Sequence, residues 1–314
     1  MFTGKTNLIY WIIIFQCFFS AIGYGSTGNA KVSLYRHIVA CNAHDLQNYQ
    51  PFIIDDKQIG WVPNQFILHL KQWPEIFNLT DNRVFFTNNI TGVEERTVVM
   101  RKICEELESQ KLIPERRKEN FTVTKKFGEK PLFYLDRAWI PVFGFVAYGI
   151  HINAYVETHA GLEMWIGVRS LNSRVDPGKL DNMVAGGLPS GYSIEENVIK
   201  ESWEEASVPV TLARKSRRTG ELSYIMGVKD GLRRDVLYIY DLILPSDFYP
   251  VDQLGEHSRF FLLPVAEILK IVEETNNFKF NINLVIIDFA IRYGILKPDH
   301  PEFLKLTREL RSYN

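Results

Sequence analysis

Three glutamates at helical spacing are the residues in this sequence best suited to chemistry. Glu201, Glu204 and Glu205 fall within one arc of a helix, at about 100° per residue. Clustered carboxylates repel one another and favour the binding of a hard divalent cation. Mg²⁺ prefers oxygen ligands and keeps several waters, which leaves positions for phosphate oxygens and for an attacking water. The spacing therefore predicts a site for Mg²⁺, with Mn²⁺ as an alternative, and hydrolysis of a diphosphate.

A glycine-rich loop precedes the glutamates. Gly186 and Gly187 allow a close approach of the backbone that other residues resist, and we assign them to substrate binding. Ser193 and Glu196 have the spacing of a capping box, which predicts that the helix begins near Ile194. A charged helical run alone is typical of a solvated surface. The preceding loop is the feature that favours a functional site.

The predicted helix also has an apolar side. Ile199, Trp203 and Ala206 fall on the arc opposite the three glutamates. We therefore expect the helix to bury this apolar side and to direct its carboxylates away from the core.

The segments around this helix are typical of an α/β protein. Strands rich in Val, Phe and Tyr are predicted on both sides of the glycine loop, at 141–155, 162–169, 222–228 and 235–244. Apolar residues at helical spacing predict helices after them, at 264–274, 282–293 and 301–311. These elements predict an α/β sandwich domain over 138–298, followed by a C-terminal helix at 299–314.

A small α+β domain is predicted before the sandwich, over 30–135. Its helices are expected at 33–44, from about Asn64 and at 93–112. The run Asp55-Asp56-Lys57 predicts a turn between two short strands within 52–62. Residues 114–130 are dense in charge and lack an apolar period, which is typical of a connection or an exposed edge.

The N-terminus departs from the pattern of a globular domain. Lys5 precedes an apolar run from Leu8 to Ile22, about 15 residues long, which suits a secretory signal better than the roughly 20 residues of a membrane span. We interpret residues 1–25 as a signal peptide or a signal anchor. This segment predicts the secretory pathway or an organelle as the location and is the only part expected to contact a membrane.

Composition excludes several classes of function. Lys plus Arg number 36 and Asp plus Glu 37, a formal net charge of -1, which gives no long-range field for nucleic acid. We therefore expect a small-molecule diphosphate as the partner, and the oligomeric state stays open. Cys17, Cys41 and Cys104 lack the spacing of a zinc site. Two buried thiols are favoured over a bridge between Cys41 and Cys104.

The glycine loop and the helix together resemble the Nudix box. The box reads Gly-x5-Glu-x7-Arg-Glu-apolar-x-Glu-Glu-x-Gly-apolar, and the segment from Gly186 to Val208 aligns with it. The resemblance implies a Nudix α/β/α sandwich with a mixed sheet. It also implies that Glu201, Glu204 and Glu205 bind metal and act in catalysis, with Glu201 a candidate to activate water.

Four positions depart from the box. Tyr192 stands at the first Glu, Lys200 at the Arg, Ser202 at an apolar place and Ser207 at the late Gly. Lys200 can still pair with a carboxylate or a phosphate, but it lacks the planar two-pronged contact of Arg.

Longer runs resemble the Nudix branch fused to an N-terminal domain, which includes the hydrolase part of fungal thiamin pyrophosphokinase fusion proteins. The resemblance is carried by Ile59–Val62, Leu180–Gly191, Gly231–Asp241 and Leu284–Phe289. Members of this branch also lack the first Glu of the box. The resemblance implies hydrolysis of thiamin diphosphate analogues, especially oxidised or damaged forms, to monophosphates, and by itself implies the cytosol or an organelle.

Further candidate residues lie outside the box. Arg233 and Arg234 precede an apolar strand, where one could contact phosphate, with a structural ion pair as the alternative. Glu256 follows Gly255 in a loop near the presumed active face and is a candidate base or additional ligand. The aromatic residues that could stack on a substrate ring are Trp139, Tyr148 and Tyr224.

Two other functions remain open from the sequence. One is a Nudix hydrolase of nucleoside diphosphate derivatives, because aromatic side chains can stack on either kind of ring. The other is a binding module in which the altered box holds a phosphorylated ligand without cutting it. Turnover that depends on Mg²⁺ separates this module from the enzymes.

Overall fold

A four-stranded and a seven-stranded sheet organise residues 32–311, the part of the chain that the computed structural model describes. The predictions for residues 1–25 lie outside this range. The smaller sheet has the strand order β2-β1-β4-β3. Elements of the N-terminal part, in chain order, are α1 Tyr35–Cys41, β1 Tyr49–Ile54, β2 Lys57–Pro63, α2 Ile67–Leu70, β3 Phe77–Leu79, β4 Val84–Phe86, α3 Val93–Ser109, β5 Asn120–Thr124 and β6 Pro131–Asp136.

Local signals predicted much of this part correctly. The predicted turn joins β1 to β2, and Asp55 and Asp56 both adopt positive φ there, at 48° and 59°. The predicted helix after Asn64 is much shorter than the pattern indicated, since only Ile67–Leu70 is helical. Within the charged run 114–130, β5 pairs antiparallel with β6 as a separate two-stranded hairpin.

The larger sheet carries the glycine loop. Its elements and the helices around it are β7 Val146–Thr158, β8 Gly161–Arg169, β9 Leu180–Asn182, β10 Val184–Gly187, α4 Ile194–Ala206, α5 Val210–Ala213, β11 Arg217–Val228, β12 Gly231–Ile243, β13 His257–Pro264, α6 Val265–Glu274, α7 Ile282–Arg292 and α8 Phe303–Glu309. The strand order is β11-β12-β7-β8-β13, with β10 paired to β7 and β9 paired to β8. Strands β7 and β12 run parallel and the other pairs antiparallel, so the predicted mixed sheet is confirmed.

The two faces of this sheet bury different side chains because successive residues of a strand point to opposite sides. Ile150 and Ile152 of β7 pack with Ile194 and Val198 of α4 on one face. Phe289 of α7 is fully buried on the other, and burial of one such side chain stabilises the fold by about 1.5–3 kcal/mol. The result is an α/β sandwich with helices on both faces.

A buried polar network links the second face to the C-terminal helices. Asp241 of β12 accepts hydrogen bonds from Asn153 at 3.1 Å and from Arg292 at 2.5 Å. Arg292 also donates to Asp288 at 2.7 Å, and Arg311 donates to Asp288 at 2.6 Å. Buried charges need such pairing to offset the loss of water. The network therefore fixes α7 and the chain end against the sheet.

The residues from 33 to 311 belong to one compact unit, and its hydrophobic cores include the following two. One core extends from Phe52 to Phe145 and the other from Ile150 to Phe260. The predicted domain limits at 30–135, 138–298 and 299–314 remain predictions. Cys41 and Cys104 are free, buried thiols. No helix in the described part of the chain has the length and apolar character needed to cross a membrane.

Candidate active site

The glycine loop leaves the sheet at the end of β10 and leads directly into α4. Gly186 pairs with Ile150 of β7, and Asn197 of α4 donates to the Gly187 carbonyl at 2.9 Å. The predicted capping box is confirmed, because Ser193 Oγ accepts from the Glu196 amide and the Glu196 carboxylate accepts from the Ser193 amide at 2.9 Å. This cap satisfies otherwise unpaired amides and sets the helix start at Ile194.

The backbone of β10 contacts the glutamates of α4 directly. A methyl group at Gly186 would lie 2.6 Å from Glu201 Cγ and 2.7 Å from its Oε1, so only glycine leaves room for this carboxylate. One helical turn later, Glu205 Oε2 accepts a hydrogen bond from the Ala185 amide at 2.8 Å. The strand end therefore holds two carboxylates in place.

The expected orientation of α4 is wrong for two glutamates and for Trp203, whereas Ala206 is buried as expected. Glu201 and Glu205 lie on the buried side, with only 8% and 2% of their surface exposed, whereas Trp203 is 53% exposed. The periodicity identified both arcs but could not determine which of them faces the sheet. The absence of a side chain at Gly186 leaves the space that the Glu201 carboxylate occupies.

Burial and mutual repulsion dominate the electrostatics of the buried pair. Burial raises the pKa of the Glu201 carboxyl, and the charges of Glu204 and Glu256 add to this effect. Burial also raises the pKa of Glu205 well above its usual range, with Glu256 and Glu201 contributing. Ionisation of these two carboxyls is therefore unfavourable unless a cation lies nearby.

Lys200 supplies the positive charge next to this cluster. Its Nζ lies 3.1 Å from Glu201 Oε1 and 2.7 Å from Glu204 Oε2. Burial alone would lower the pKa of Lys200, but the hydrogen bond to Glu204 and the charge of Glu201 raise it. Lys200 therefore stays protonated and bridges two of the three glutamates.

Glu256 approaches the same cluster from a different loop. It lies directly before β13, and its carbonyl accepts a hydrogen bond from the Ser170 amide at 2.8 Å. Its charge contributes to the raised pKa of both Glu201 and Glu205. The Glu256 side chain is exposed, and its role as a base or an additional metal ligand remains a prediction.

The carboxylates of α4 provide oxygen donors for a metal ion. Within residues 32–311, no three His, Cys, Asp or Glu side chains already converge as a metal site. Glu201, Glu204 and Glu205 nevertheless provide the oxygen ligands that Mg²⁺ prefers, and a divalent cation would relieve the burial and repulsion that raise the pKa of Glu201 and Glu205. The donor set fits a hard divalent cation, which would compete with Lys200 for the same oxygens.

Comparison with known proteins decides the family. A family model described as a domain of unknown function (DUF4743) matches residues 33–147. Nudix hydrolase 24, chloroplastic, from Arabidopsis thaliana is 39% identical over 269 residues, which cover 85% of this chain and 74% of the relative. The chain belongs to the Nudix hydrolase family. Nudix hydrolase 20, chloroplastic, from the same plant is 37% identical over 289 residues, which cover 88% of this chain and 77% of the relative.

These relatives confirm the resemblance to the Nudix family, whereas the roles assigned to the residues of the box remain predictions. Nudix hydrolases cleave diphosphate bonds and generally use divalent metal ions, so the chain is an enzyme of this class. Among solved structures, the MutT protein from Methanosarcina mazei Go1 is 18% identical with a TM-score of 0.37, over 47% of this chain and 95% of that one.

The two arginines before the apolar part of β12 have structural partners in this Nudix hydrolase. Arg233 lies 3.6 Å from Asp235 and its guanidinium stands over the Phe280 ring. Arg234 donates to the carbonyl oxygens of Ile59 and Gly144, at 3.3 and 3.1 Å. These contacts are those of structural residues, as in the alternative interpretation of the sequence. Substrate binding by either arginine remains a prediction.

Two of the three aromatic residues expected to stack on a substrate ring are in the core. Trp139 is 2% exposed and donates from its indole to the Pro114 carbonyl at 2.8 Å. Tyr224 is fully buried and donates to Asp235. The expectation for these two is therefore wrong, because large aromatic residues also serve as core residues. Of the three, Tyr148 is half-buried, near the start of β7.

The sequence did not indicate the contacts of two residues near the glycine loop, Asp181 and Phe121. Asp181 is 1% exposed and bonds Arg169 at 2.6 Å and Lys279 at 3.4 Å. Burial alone would raise the pKa of Asp181, but these two cations hold it below its usual range. Phe121 of β5 packs against Gly187. An acidic residue shortly before a glycine loop and a phenylalanine in a distant hairpin carry no local signal of these contacts.

Proposed function

We propose that this Nudix hydrolase is a Mg²⁺-dependent diphosphatase for thiamin diphosphate analogues, especially oxidised or otherwise damaged forms, and releases the monophosphate. The observation that carries the diphosphatase activity is the pair of buried carboxylates, Glu201 and Glu205, held against the backbone of β10 beside Glu204 and Glu256. The substrate class is supported by the runs that resemble the fungal fusion branch.

The proposed roles follow from the environment of each residue. Glu201, Glu204 and Glu205 would hold Mg²⁺, which when bound offsets diphosphate charge and makes water more acidic. Glu256 or Glu201 accepts a proton from the attacking water, since both carboxylates belong to the same charged cluster. Gly186 and Gly187 leave space at the strand end, and Lys200 is placed to move from carboxylate to phosphate oxygen.

The test is to incubate the full-length chain and Mg²⁺ with oxidised thiamin diphosphate, thiamin diphosphate and ADP-ribose. Monophosphate formed preferentially from the oxidised compound is the expected result. Preference for ADP-ribose would instead support a hydrolase of nucleoside diphosphate derivatives. No metal-dependent cleavage of any of the three would support a binding module.

Two matched variants locate the activity. Glu204→Gln removes one proposed ligand and is expected to lower kcat at least a hundredfold. Glu267→Gln makes the same change at an exposed glutamate in the first turn of α6 and should leave kcat within twofold. Equal activity of Glu204→Gln and Glu267→Gln would contradict the assignment of α4 as the metal-binding helix.

We also propose an organelle as the location, with residues 1–25 as the targeting segment. The two Arabidopsis relatives are named chloroplastic, which supports organelle targeting over secretion. Fluorescence microscopy of the full chain and of a variant without residues 1–25, each fused to a C-terminal reporter, tests this. A shared distribution of the two would contradict it.

A further inference from the structure

A serine with a left-handed backbone conformation ends helix α4. Ser207 has φ 53° and ψ 30°, and its amide donates to the Trp203 carbonyl at 3.0 Å. Glycine adopts this conformation without strain, whereas a residue with a Cβ atom does not. Ser207 stands at the position of the late Gly of the Nudix box. The chain therefore has a strained residue where the box has an unstrained one.

The Ser207 hydroxyl joins the end of α4 to the loop before β13. It donates to the Val251 carbonyl at 2.6 Å and accepts a hydrogen bond from the side-chain amide of Gln253. Two backbone hydrogen bonds lie beside it, from the Val251 amide to the Ala206 carbonyl at 3.2 Å and from the Gln253 amide to the Glu204 carbonyl at 2.9 Å. A glycine at position 207 would preserve these backbone bonds but would lack the two bonds of the hydroxyl.

Residues 251–256 form the loop that Ser207 holds, and we call them the Glu256 loop. Inside this loop, the Asp252 side chain is 6% exposed. Its carboxylate accepts hydrogen bonds from three backbone amides, those of Leu254 at 2.7 Å, Gly255 at 3.0 Å and His257. The loop is thus ordered internally by Asp252 and is attached to α4 by Ser207.

The position of the Glu256 side chain depends on this loop. The side chain is exposed, and within residues 32–311 its carboxylate makes no hydrogen bond or ion pair. Burial is the main cause of the raised pKa of Glu201 and Glu205, and the charge of Glu256 adds to it, so this carboxylate lies near the buried pair. Misplacement of a catalytic group by about 1 Å can lower the rate about a hundredfold. A base without side-chain partners therefore needs a fixed backbone.

We propose that Ser207 is a positioning residue of the reaction, whose hydroxyl holds the Glu256 loop against α4 so that the Glu256 carboxylate can accept a proton from the attacking water. The inference rests on the proposed diphosphatase function and assigns the role of base to Glu256. It also explains the departure from the box, because glycine has no hydroxyl with which to hold the loop. Strained residues persist where the surrounding bonds hold them and the geometry serves the reaction.

The first test separates the hydroxyl from the backbone conformation. Ser207→Gly removes both the hydroxyl and the strain, whereas Ser207→Thr keeps the hydroxyl and adds a β-branched carbon that left-handed backbone disfavours. On oxidised thiamin diphosphate, Ser207→Gly should lower kcat at least fivefold with little change in KM or Tm. Ser207→Thr should lower Tm but keep kcat within twofold of the wild type. A kcat that follows Tm in the two variants would overturn the proposal.

Lys111 offers a matched control for the strain. It follows α3, is exposed and also has positive φ, at 59°. Lys111→Gly relieves the same kind of strain without removing a bond to the Glu256 loop, so Tm should rise slightly and kcat should stay within twofold. A loss of kcat equal to that of Ser207→Gly would show that the hydroxyl is not the cause.

A double-mutant cycle tests whether Ser207 acts through Glu256. The kcat is measured for the wild type, Ser207→Gly, Glu256→Gln and the double variant. Glu256→Gln should lower kcat at least tenfold, and Ser207→Gly should then lower it less than twofold further, because the base that it positions is already absent. Independent effects that multiply in the double variant would overturn the proposal, and so would full activity of Glu256→Gln.

Amide hydrogen exchange separates this inference from the diphosphatase proposal, because it needs no turnover. In the full-length Ser207→Gly chain, the amides of the Glu256 loop should exchange at least fivefold faster than in the wild type, and those of α3 should not change. If the loop exchanges faster but the wild type cleaves no diphosphate, the attachment by Ser207 stands and the diphosphatase proposal fails. Unchanged exchange in an active enzyme would overturn the attachment alone.

Discussion

Gly186 and Glu201 are in contact across the junction of strand and helix, and their contact leaves no space for a Cβ atom on the strand. The strand end is therefore one wall of the carboxylate site. Because Gly186 also pairs with Ile150 in the middle of the sheet, the position of Glu201 depends on a rigid element and not on the loop itself. The geometry of the site is thus coupled to the packing of the core.

Substitution of each glycine in turn tests this coupling. Gly186→Ala should displace Glu201, lower kcat at least tenfold and destabilise the fold by about 1–3 kcal/mol, as expected for an added methyl group in a packed site. Gly187→Ala is the matched control, because its methyl group would overlap the Phe121 ring and not a glutamate. It should cost similar stability with a smaller loss of kcat. Enzyme assays measure kcat and urea unfolding measures the stability of both variants. Equal losses of kcat would contradict the specific role of Gly186.

Lys200 provides a second prediction, since it bridges two glutamates. Lys200→Met should lower kcat/KM at least tenfold because the variant has no side-chain ammonium group beside Glu204 to contact substrate phosphate. Lys200 is partly exposed, so its ion pairs contribute less than about 1 kcal/mol to stability. Lys200→Arg, which restores the residue of the Nudix box, should retain activity. Steady-state kinetics measures kcat/KM of the variants, and thermal unfolding is the control for their stability. Full activity of Lys200→Met would show that the lysine has no part in the reaction.

The sequence could predict those features of the site that depend on neighbours along the chain. The capping box at Ser193, the turn at Asp55 and the strands around the glycine loop follow from local backbone preferences, and the structure has them all. The sequence could not predict which arc of α4 is buried. The buried arc depends on the contact of Glu201 with strand β10, which ends earlier in the sequence, at Gly187.

The sequence also could not predict which aromatic residues are buried in the core and which are exposed. Trp139 and Phe127 are both large and apolar, yet Trp139 is 2% exposed in the core and Phe127 is 40% exposed at the tip of the hairpin β5–β6. Composition cannot distinguish them, because the hairpin that carries Phe127 is positioned by contacts with Ser190 and Gly187 far along the chain. Long-range packing, and not local propensity, selects the aromatic residues near the site.

Tyr192 supports a third prediction, about the first Glu of the box. The Tyr192 side chain is 46% exposed in the loop before α4. Tyr192→Glu restores the box residue but places it in solvent, so kcat should change less than threefold and the free energy of unfolding by less than about 0.5 kcal/mol. Metal-dependent hydrolysis assays measure the effect. An increase of kcat by tenfold or more would show instead that the tyrosine replaces a working ligand.

The last prediction concerns acid stability and the buried His151. Its Nδ1 contacts Asn182 at 3.1 Å, and burial lowers its pKa from 6.5 to about 4, with Lys279 lowering it further and Asp181 and Asn182 opposing this. A folded-state pKa below the unfolded value means that the unfolded chain binds the proton first as pH falls. The stability due to neutral His151 is therefore complete above about pH 6.5 and is lost progressively as the pH falls towards about 4.

Between about pH 7.5 and 5, this loss amounts to about 2 kcal/mol for a single histidine with such a shift. His151→Gln keeps a polar group near Asn182 but cannot titrate, so its free energy of unfolding should decrease by about 2 kcal/mol less than that of the wild type over this range. His159→Gln, at an exposed turn, is the control and should follow the wild type. Urea unfolding at both pH values measures all three chains. The same pH dependence in His151→Gln and wild type would contradict the burial of a neutral imidazole, because no other change distinguishes the two chains in this pH range.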